Sequence, residues 1–294
     1  MEYDMKDKTV IITGANSGIG KAAARLLAAD GATVVLACRS AQRGEQAREE
    51  IVSQTGNQNT TLMLVDMSSQ ASIRQLAADF TRRFQRLDVL IQNAANFDLT
   101  LKSPLLNSDG IETIFATNHV GVFLLTQLLL DVMKRSAPSR VITVASKGLM
   151  AYPFLEIEFD NLNGEKKYSA QHAYYHSKLA QVMYTYALAE RLRGTGVTAN
   201  CVRVGNVALG DDRLENVPGF MKKAYALKKR FSLTPEAQAR TYEYLAADAA
   251  VESISGGYWD EHNRQVKSSP NSLNKEAQNR LWQATAAMIR GQAT

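Results

Sequence analysis

The chain has 294 residues, 45% of them apolar, and a formal net charge of +5. That length suits one large α/β domain, and so mild a charge argues against nucleic acid while favouring a phosphate-bearing ligand. No apolar run approaches the roughly 18 residues of a membrane span, and the acidic start Met1-Glu2-Tyr3-Asp4 lacks the apolar stretch of a secretory signal, so a soluble cytoplasmic protein is expected.

The first predicted element is a short strand, Lys8–Ile12, followed by the turn Thr13-Gly14-Ala15-Asn16-Ser17-Gly18-Ile19-Gly20 and a strong helix former at Lys21–Ala29. Glycines spaced G-x-x-x-G-x-G between strand and helix let backbone approach a dinucleotide pyrophosphate; a merely structural turn is the alternative. Further strands are predicted at Thr33–Ala37, Leu62–Val65, Val89–Ile91, Arg140–Val144 and Val197–Val202. They lack polar alternation, as parallel strands covered on both faces do. Helical stretches lie near 42–54, 69–84, 108–135 and 170–193, and the apolar run Val120–Leu130 reads as a core helix. Cys38 and Cys201 fall at strand ends without metal-ligand spacing and read as buried, inert thiols.

Residues 205–233 break the alternation, with Gly205, Gly210, Pro218 and Gly219 followed by Phe220, Met221 and Tyr225 among lysines. Their place after the sixth strand predicts a lid over a substrate; a solvated amphipathic helix or a membrane-surface contact are the alternatives. A helix begins at Thr234-Pro235-Glu236, with Thr as N-cap and Pro at the first helical position. Gly256–Trp259 reads as a last strand. Ser272–Ile289 reads as a helix whose Leu281, Trp282 and Ile289 share a face that packs on its own core or on a neighbouring subunit. The whole predicts one α/β domain over 1–294, a doubly wound Rossmann-type parallel sheet with helices on both faces.

Tyr174 and Lys178 stand one helical turn apart, so both side chains leave the same face. An ammonium beside a phenol favours the phenolate and pulls a pKa of about 10 toward neutrality. With a nucleotide turn upstream, this predicts hydride chemistry on a carbonyl or an alcohol; the bland alternative is a surface aromatic-lysine pair. Tyr175, three residues from Lys178, is the rival phenol. His172 and His176 share a four-residue spacing, but the sequence shows no carboxylate or Cys partner, and no metal site is expected. No Gly-x-Ser-x-Gly elbow of a hydrolase is present.

From about residue 7 to about residue 285 the chain resembles the short-chain dehydrogenases/reductases, and within them the retinol dehydrogenase-like branch. The resemblance rests on the 13–20 turn, Leu36-Ala-Cys-Arg-Ser40, Leu87-Asp-Val-Leu-Ile-Gln-Asn-Ala94, Asn118-His-Val-Gly121, Arg140-Val-Ile-Thr-Val-Ala-Ser146 and Ala173-Tyr-Tyr-His-Ser-Lys-Leu-Ala180. It implies Tyr174 as proton donor or base, Lys178 as the group that favours the phenolate and holds the nicotinamide ribose, and Ser146 as the holder of the substrate oxygen. Asn118 would anchor a water behind the lysine. Cofactor contacts are implied for Gly14, Asn16, Ser17, Gly18, Ile19 and Gly20, for Asp66, Asn93 and Ala94 near the adenosine, and for Gly205 and Val207 after the sixth strand.

A carboxylate at the end of the second strand would hold the adenosine ribose; this chain has Arg39 and Ser40 there, with Arg43 a turn on, which suits a 2′-phosphate and predicts NADP(H) over NAD(H). The branch also implies an extended Lys147–Ala173 loop that walls an apolar substrate or packs as surface, a small carbonyl or alcohol that is apolar or ring-containing, and a homo-oligomer. The membrane anchor of many animal retinol dehydrogenases is not seen. Three departures, Ala95, Val204 and a missing hydroxyl near Ala208 and Leu209, leave a second expectation: a nucleotide-sensing binding protein of weak catalysis. The glycine spacing disfavours a sugar-nucleotide epimerase.

Overall fold

The computed structural model describes residues 3–207 and 232–290. Seven strands, β1 (Thr9–Thr13), β2 (Thr33–Cys38), β3 (Thr60–Leu64), β4 (Val89–Gln92), β5 (Ser139–Ser146), β6 (Val197–Val204) and β7 (Tyr258–Trp259), pair in parallel in the order β3-β2-β1-β4-β5-β6-β7. The order reverses between β1 and β4, which opens a crevice at the carboxyl ends of the strands. β5 and β6 run beyond their predicted ends to Ser146 and Val204, so Cys201 lies inside a strand rather than at its end.

The crossovers are α1 (Gly18–Ala29), α2 (Ala41–Thr55), α3 (Gln70–Arg83), the single turn α4 (Thr113–Phe115), α5 (Gly121–Arg135) and α6 (Ala170–Arg191); α7 (Pro235–Ala247) and α8 (Lys275–Arg290) follow β6 and β7. A π turn, Ala116–Val120, joins α4 to α5. The helix predicted from 108 starts later because Asn107 folds its amide back on the N–H of Ile111 and Glu112 caps Phe115. Alternation along β1 explains the layers. Val10 and Ile12 pack with α1 and α7, Ile11 with α3 and α5, and all three are fully buried. Each such side chain contributes about 1.5–3 kcal/mol relative to exposure.

Thr113–Arg135 is long and apolar enough to cross a membrane, but Phe123, Leu124, Leu125 and Leu129 bury that surface in the core. Thr234 caps α7 as expected, accepting from the N–H of Ala237. α8 packs on its own core: Leu281 is buried, and Trp282 lies against Phe123 and Tyr184 beneath the Arg191 guanidinium. The predicted lid lies outside the described residues except for 205–207 and 232–233, as do Ala208 and Leu209.

Candidate active site

The glycine turn sits at the crevice. Gly14 and Gly18 adopt φ of +68° and +55°, a region that disfavours side chains. A Cβ on Gly18 would meet open space, whereas one on Gly20 would lie 2.5 Å from both the Asn93 amide nitrogen and the Gly14 carbonyl oxygen. Gly20 is therefore required by the Asn93 lock. Ser17 precedes α1 without capping it through its side chain, so the first-turn N–H groups of α1 lack that partner.

Asn93, expected near the ribose, lies against the glycine turn and has the structural role that was its alternative. Its NH2 donates to the carbonyls of Thr13 and Gly14 at 3.0 and 3.3 Å, and its Oδ1 accepts from the buried Tyr242 hydroxyl at 3.2 Å. The N–H of Ala94 donates to Thr13 Oγ1. Asp66 caps its own loop by accepting from Ser68, as the capping alternative had it. The methyl of Ala95 belongs to an exposed residue, so this departure crowds nothing in the described structure. At the end of β2, Arg39 and Arg43 are exposed, Ser40 caps α2 by accepting from the N–H of Arg43, and the Cys38 thiol is pushed up to about 11 by burial. An open turn, uncapped helix N–H groups and two exposed guanidiniums fit a phosphorylated dinucleotide.

The other wall is β5 with α6. As the crossover between two parallel strands, α6 runs antiparallel to β5. Lys178 is buried and donates to the Val144 carbonyl and to Gln181 Oε1, both at 2.7 Å. Tyr174 lies one turn back along α6, about 5–6 Å, and Ser146 two residues on along β5, about 6–7 Å, so both move toward the crevice. The Lys178 ammonium is 5.8 Å from the Tyr174 ring centre. Burial pulls the lysine down to about 7, with Cys201 opposing. Ser146 Oγ accepts from the N–H of Gly148, which leaves its own hydrogen to donate.

Asn118 lies in the π turn, fully buried. Its Oδ1 accepts from the N–H of Asn96, and its NH2 donates to the Asn96 carbonyl and to Ser177 Oγ. The side chain thus fastens the loop after β4 to α6. Tyr175 lies over Gly148 and between Tyr152 and the edge of Tyr174, and burial raises its pKa, the opposite of what a proton donor near neutrality needs. Gly205 donates its N–H to Gln238 Oε1, and Val207 bridges to Leu233.

Of the two histidines, His172 has a carboxylate beside it, Glu158 at 3.2 Å, a partner that the sequence alone does not show. However, the N–H of Glu158 already occupies His176 Nε2, and among the described residues no three ligands converge.

Sequence reasoning missed Phe97, Gln181, Gln238 and Tyr242. Phe97 is 38% exposed and sets its ring edge-on to Tyr174 at 4.5 Å. Its signal was an apolar residue in the loop after β4, at the ligand-binding end of the sheet. In the 147–173 loop, Phe159 packs under Arg280 and Tyr168 bonds Glu112, while Met150 and Phe154 stay exposed. The loop is thus packed against the body at Phe159 and Tyr168 and leaves two apolar side chains exposed.

Fold and crevice together define a dinucleotide-binding α/β protein with a Ser–Tyr–Lys constellation. The chain belongs to the short-chain dehydrogenase family, whose profile, described as short chain dehydrogenase, matches residues 8–213. It is 39% identical to human retinol dehydrogenase 11 over 96% of this chain and 86% of that one, and 38% identical to human retinol dehydrogenase 13 over 96% and 84%. A solved protein from Mycobacterium paratuberculosis matches with a TM-score of 0.75 at 28% identity, covering 98% and 96% of the two chains. A short chain dehydrogenase from Shigella flexneri complexed with NADP shares the fold at 22% identity and a TM-score of 0.69, covering 89% and 100%.

Proposed function

We propose that the protein interconverts a carbonyl and an alcohol with NADP(H), on an apolar or ring-containing substrate. The observation that carries this is the placement of Tyr174 and a buried, desolvated Lys178 on one face of α6, tied by Val144 to the strand that ends in Ser146. When bound along the crevice, the nicotinamide supplies or accepts the hydride. Ser146 directs its free hydrogen at the substrate oxygen, and Tyr174 gives that oxygen its proton in reduction or removes it in oxidation. Lys178 places a positive charge beside the phenol and so favours its anion.

Arg39, Ser40 and Arg43, with no carboxylate at the end of β2, support the 2′-phosphate. Phe97, Leu99, Met150 and Phe154, exposed in the loops after β4 and β5, support an apolar substrate. Fluorescence titration with NADPH and NADH, then turnover on a carbonyl panel by wild type and Tyr174→Phe, tests the proposal. NADPH binding with turnover abolished in the variant is the expected outcome. NADPH binding without turnover on any carbonyl would instead favour a nucleotide sensor.

A further inference from the structure

The lysine of the constellation has a partner on its own helix. Gln181, one turn beyond Lys178, is fully buried, and its amide oxygen accepts from Lys178 Nζ at 2.7 Å. An ammonium can only donate, so the chemistry fixes which end of the amide faces it. The other end is unpaid: Gln181 Nε2 is buried without a hydrogen-bond partner among the described residues. A buried unsatisfied amide destabilises a fold, and a Leu or Met would fill the same volume without that penalty. Packing alone does not explain a glutamine here.

We propose that Gln181 is a positioning residue: its amide oxygen holds Lys178 as an ammonium at the spot from which that charge acts on the Tyr174 phenol. The proposal rests on the reading of Tyr174 and Lys178 as the proton-donor pair. Burial favours the neutral amine, whereas an acceptor aimed at the charged form opposes that shift. The Val144 carbonyl is the second such acceptor, but it belongs to the backbone and cannot be varied by substitution. Gln181 is thus the adjustable half of the ammonium's cradle.

Among the described residues, the ionisable groups around this spot are few. Tyr174 shares α6, Cys201 approaches from β6, and Tyr242 reaches in from α7, feeling both. β5 presents the Val144 carbonyl and the Ser146 hydroxyl, and the π turn presents the neutral Asn118 amide. Burial pushes Cys201 up to about 11 and raises Tyr242 well above its ordinary value. Tyr242 stays neutral and Cys201 titrates only toward the top of the range, so changes at Gln181 that appear below it are read through Lys178 and Tyr174.

The test is an ultraviolet titration of the nucleotide-free protein from pH 6 to 11, following phenolate absorbance. Each protein is measured against the same protein carrying Tyr174→Phe, so that the difference isolates one phenol. Burial also raises Tyr184, Tyr242 and Tyr258, which keeps an early phenolate distinct. Lys178→Met is expected to move the Tyr174 midpoint upward. Gln181→Met, which keeps volume and removes the acceptor, should move it the same way by about one pH unit. Gln181→Asn, whose shorter side chain withdraws the oxygen, should give a smaller upward shift and carries the test should the Met variant fail to fold. Thr185→Val removes a buried hydroxyl one turn further along α6 but no partner of Lys178, and should leave the midpoint in place.

A midpoint unmoved in both Gln181 variants while Lys178→Met shifts it would overturn the role of Gln181 and leave the pair intact. A midpoint unmoved in Lys178→Met would overturn the pair and Gln181 with it. No turnover is needed for either outcome, so the substrate question stays separate.

Discussion

The two walls of the crevice are built on opposite principles. Where β1 and β4 meet the glycine turn, neutral polar groups satisfy one another: Asn93 uses both ends of its amide on the glycine turn and Tyr242, and Thr13 accepts from the N–H of Ala94, although Gln92 just before them leaves its Oε1 buried without a partner among the described residues. Along β5 and α6, polar groups are buried with valence to spare. Lys178 uses two of its three donors among the described residues, Gln181 leaves its NH2 unpaired, and Ser146 keeps its hydrogen. A wall of satisfied neutral hydrogen bonds fixes shape, whereas one of desolvated, half-satisfied groups lets small changes in partner move a proton. The first suits a bed for a nucleotide, and the second suits chemistry.

The sharpest way to break that contrast is Tyr174→Phe. It should lower kcat by about 10²- to 10⁴-fold while the affinity for NADPH, set by the opposite wall, stays as it was. Steady-state rates and fluorescence titration on the same preparation decide it; a parallel loss of nucleotide binding would mean that the walls are not separable. Next in size is Arg39→Asp at the end of β2. Removing a guanidinium and adding a carboxylate should cut NADPH affinity about 10- to 100-fold and improve binding of NADH, with kcat unchanged at saturation. Titrations with both nucleotides show whether the corner selects the phosphate.

Much of this is legible in the amino-acid sequence. The βαβ alternation fixed the layers because parallel strands covered on both faces read as unbroken apolar runs. The Tyr174–Lys178 spacing showed the shared helix face directly. Gln181, Tyr242 and the role of Asn93 were hidden for one reason: each depends on contacts across long sequence separations or on the direction of a single amide. Asn93 meets the glycine turn some eighty residues away, at separations of 80 and 79, and Tyr242 at 149. Glu158 beside His172 was hidden likewise, since a loop had to fold back onto α6 to bring it there.

Tyr242→Phe probes the satisfied wall more gently. The substitution keeps the ring in the core and removes the donor to Asn93 Oδ1, a loss worth about 0.5–1.5 kcal/mol. It should weaken NADPH binding by up to roughly tenfold and leave kcat and its pH profile alone. A changed pH profile with unchanged binding would show that α7 serves the chemical wall instead, which its reach toward Tyr174 makes a real alternative.

The smallest effect asks whether the spare valence on the α6 side extends to the back of that wall. His119, next to Asn118, bonds Thr285 through Nε2 and leaves Nδ1 buried without a partner among the described residues; burial pulls it down to about 3. His176 accepts from the N–H of Glu158 and is pulled down to about 4, also by burial. Both pKa values are near 6.5 in the unfolded chain, so between pH 6.5 and about 4 the unfolded state binds protons that the folded state refuses. Their contribution to stability is therefore complete above pH 6.5 and is lost as the pH falls toward the folded values. Asp30, raised to about 6, works against this trend because the folded state binds its proton first. His176→Gln keeps a hydrogen-bond acceptor and removes one titrating group. Its melting temperature should fall less steeply than that of wild type between pH 6.5 and 4, by a few degrees over the range. Identical slopes in the two proteins would mean that His176 is already protonated when folded, paired with Glu158 in spite of its burial.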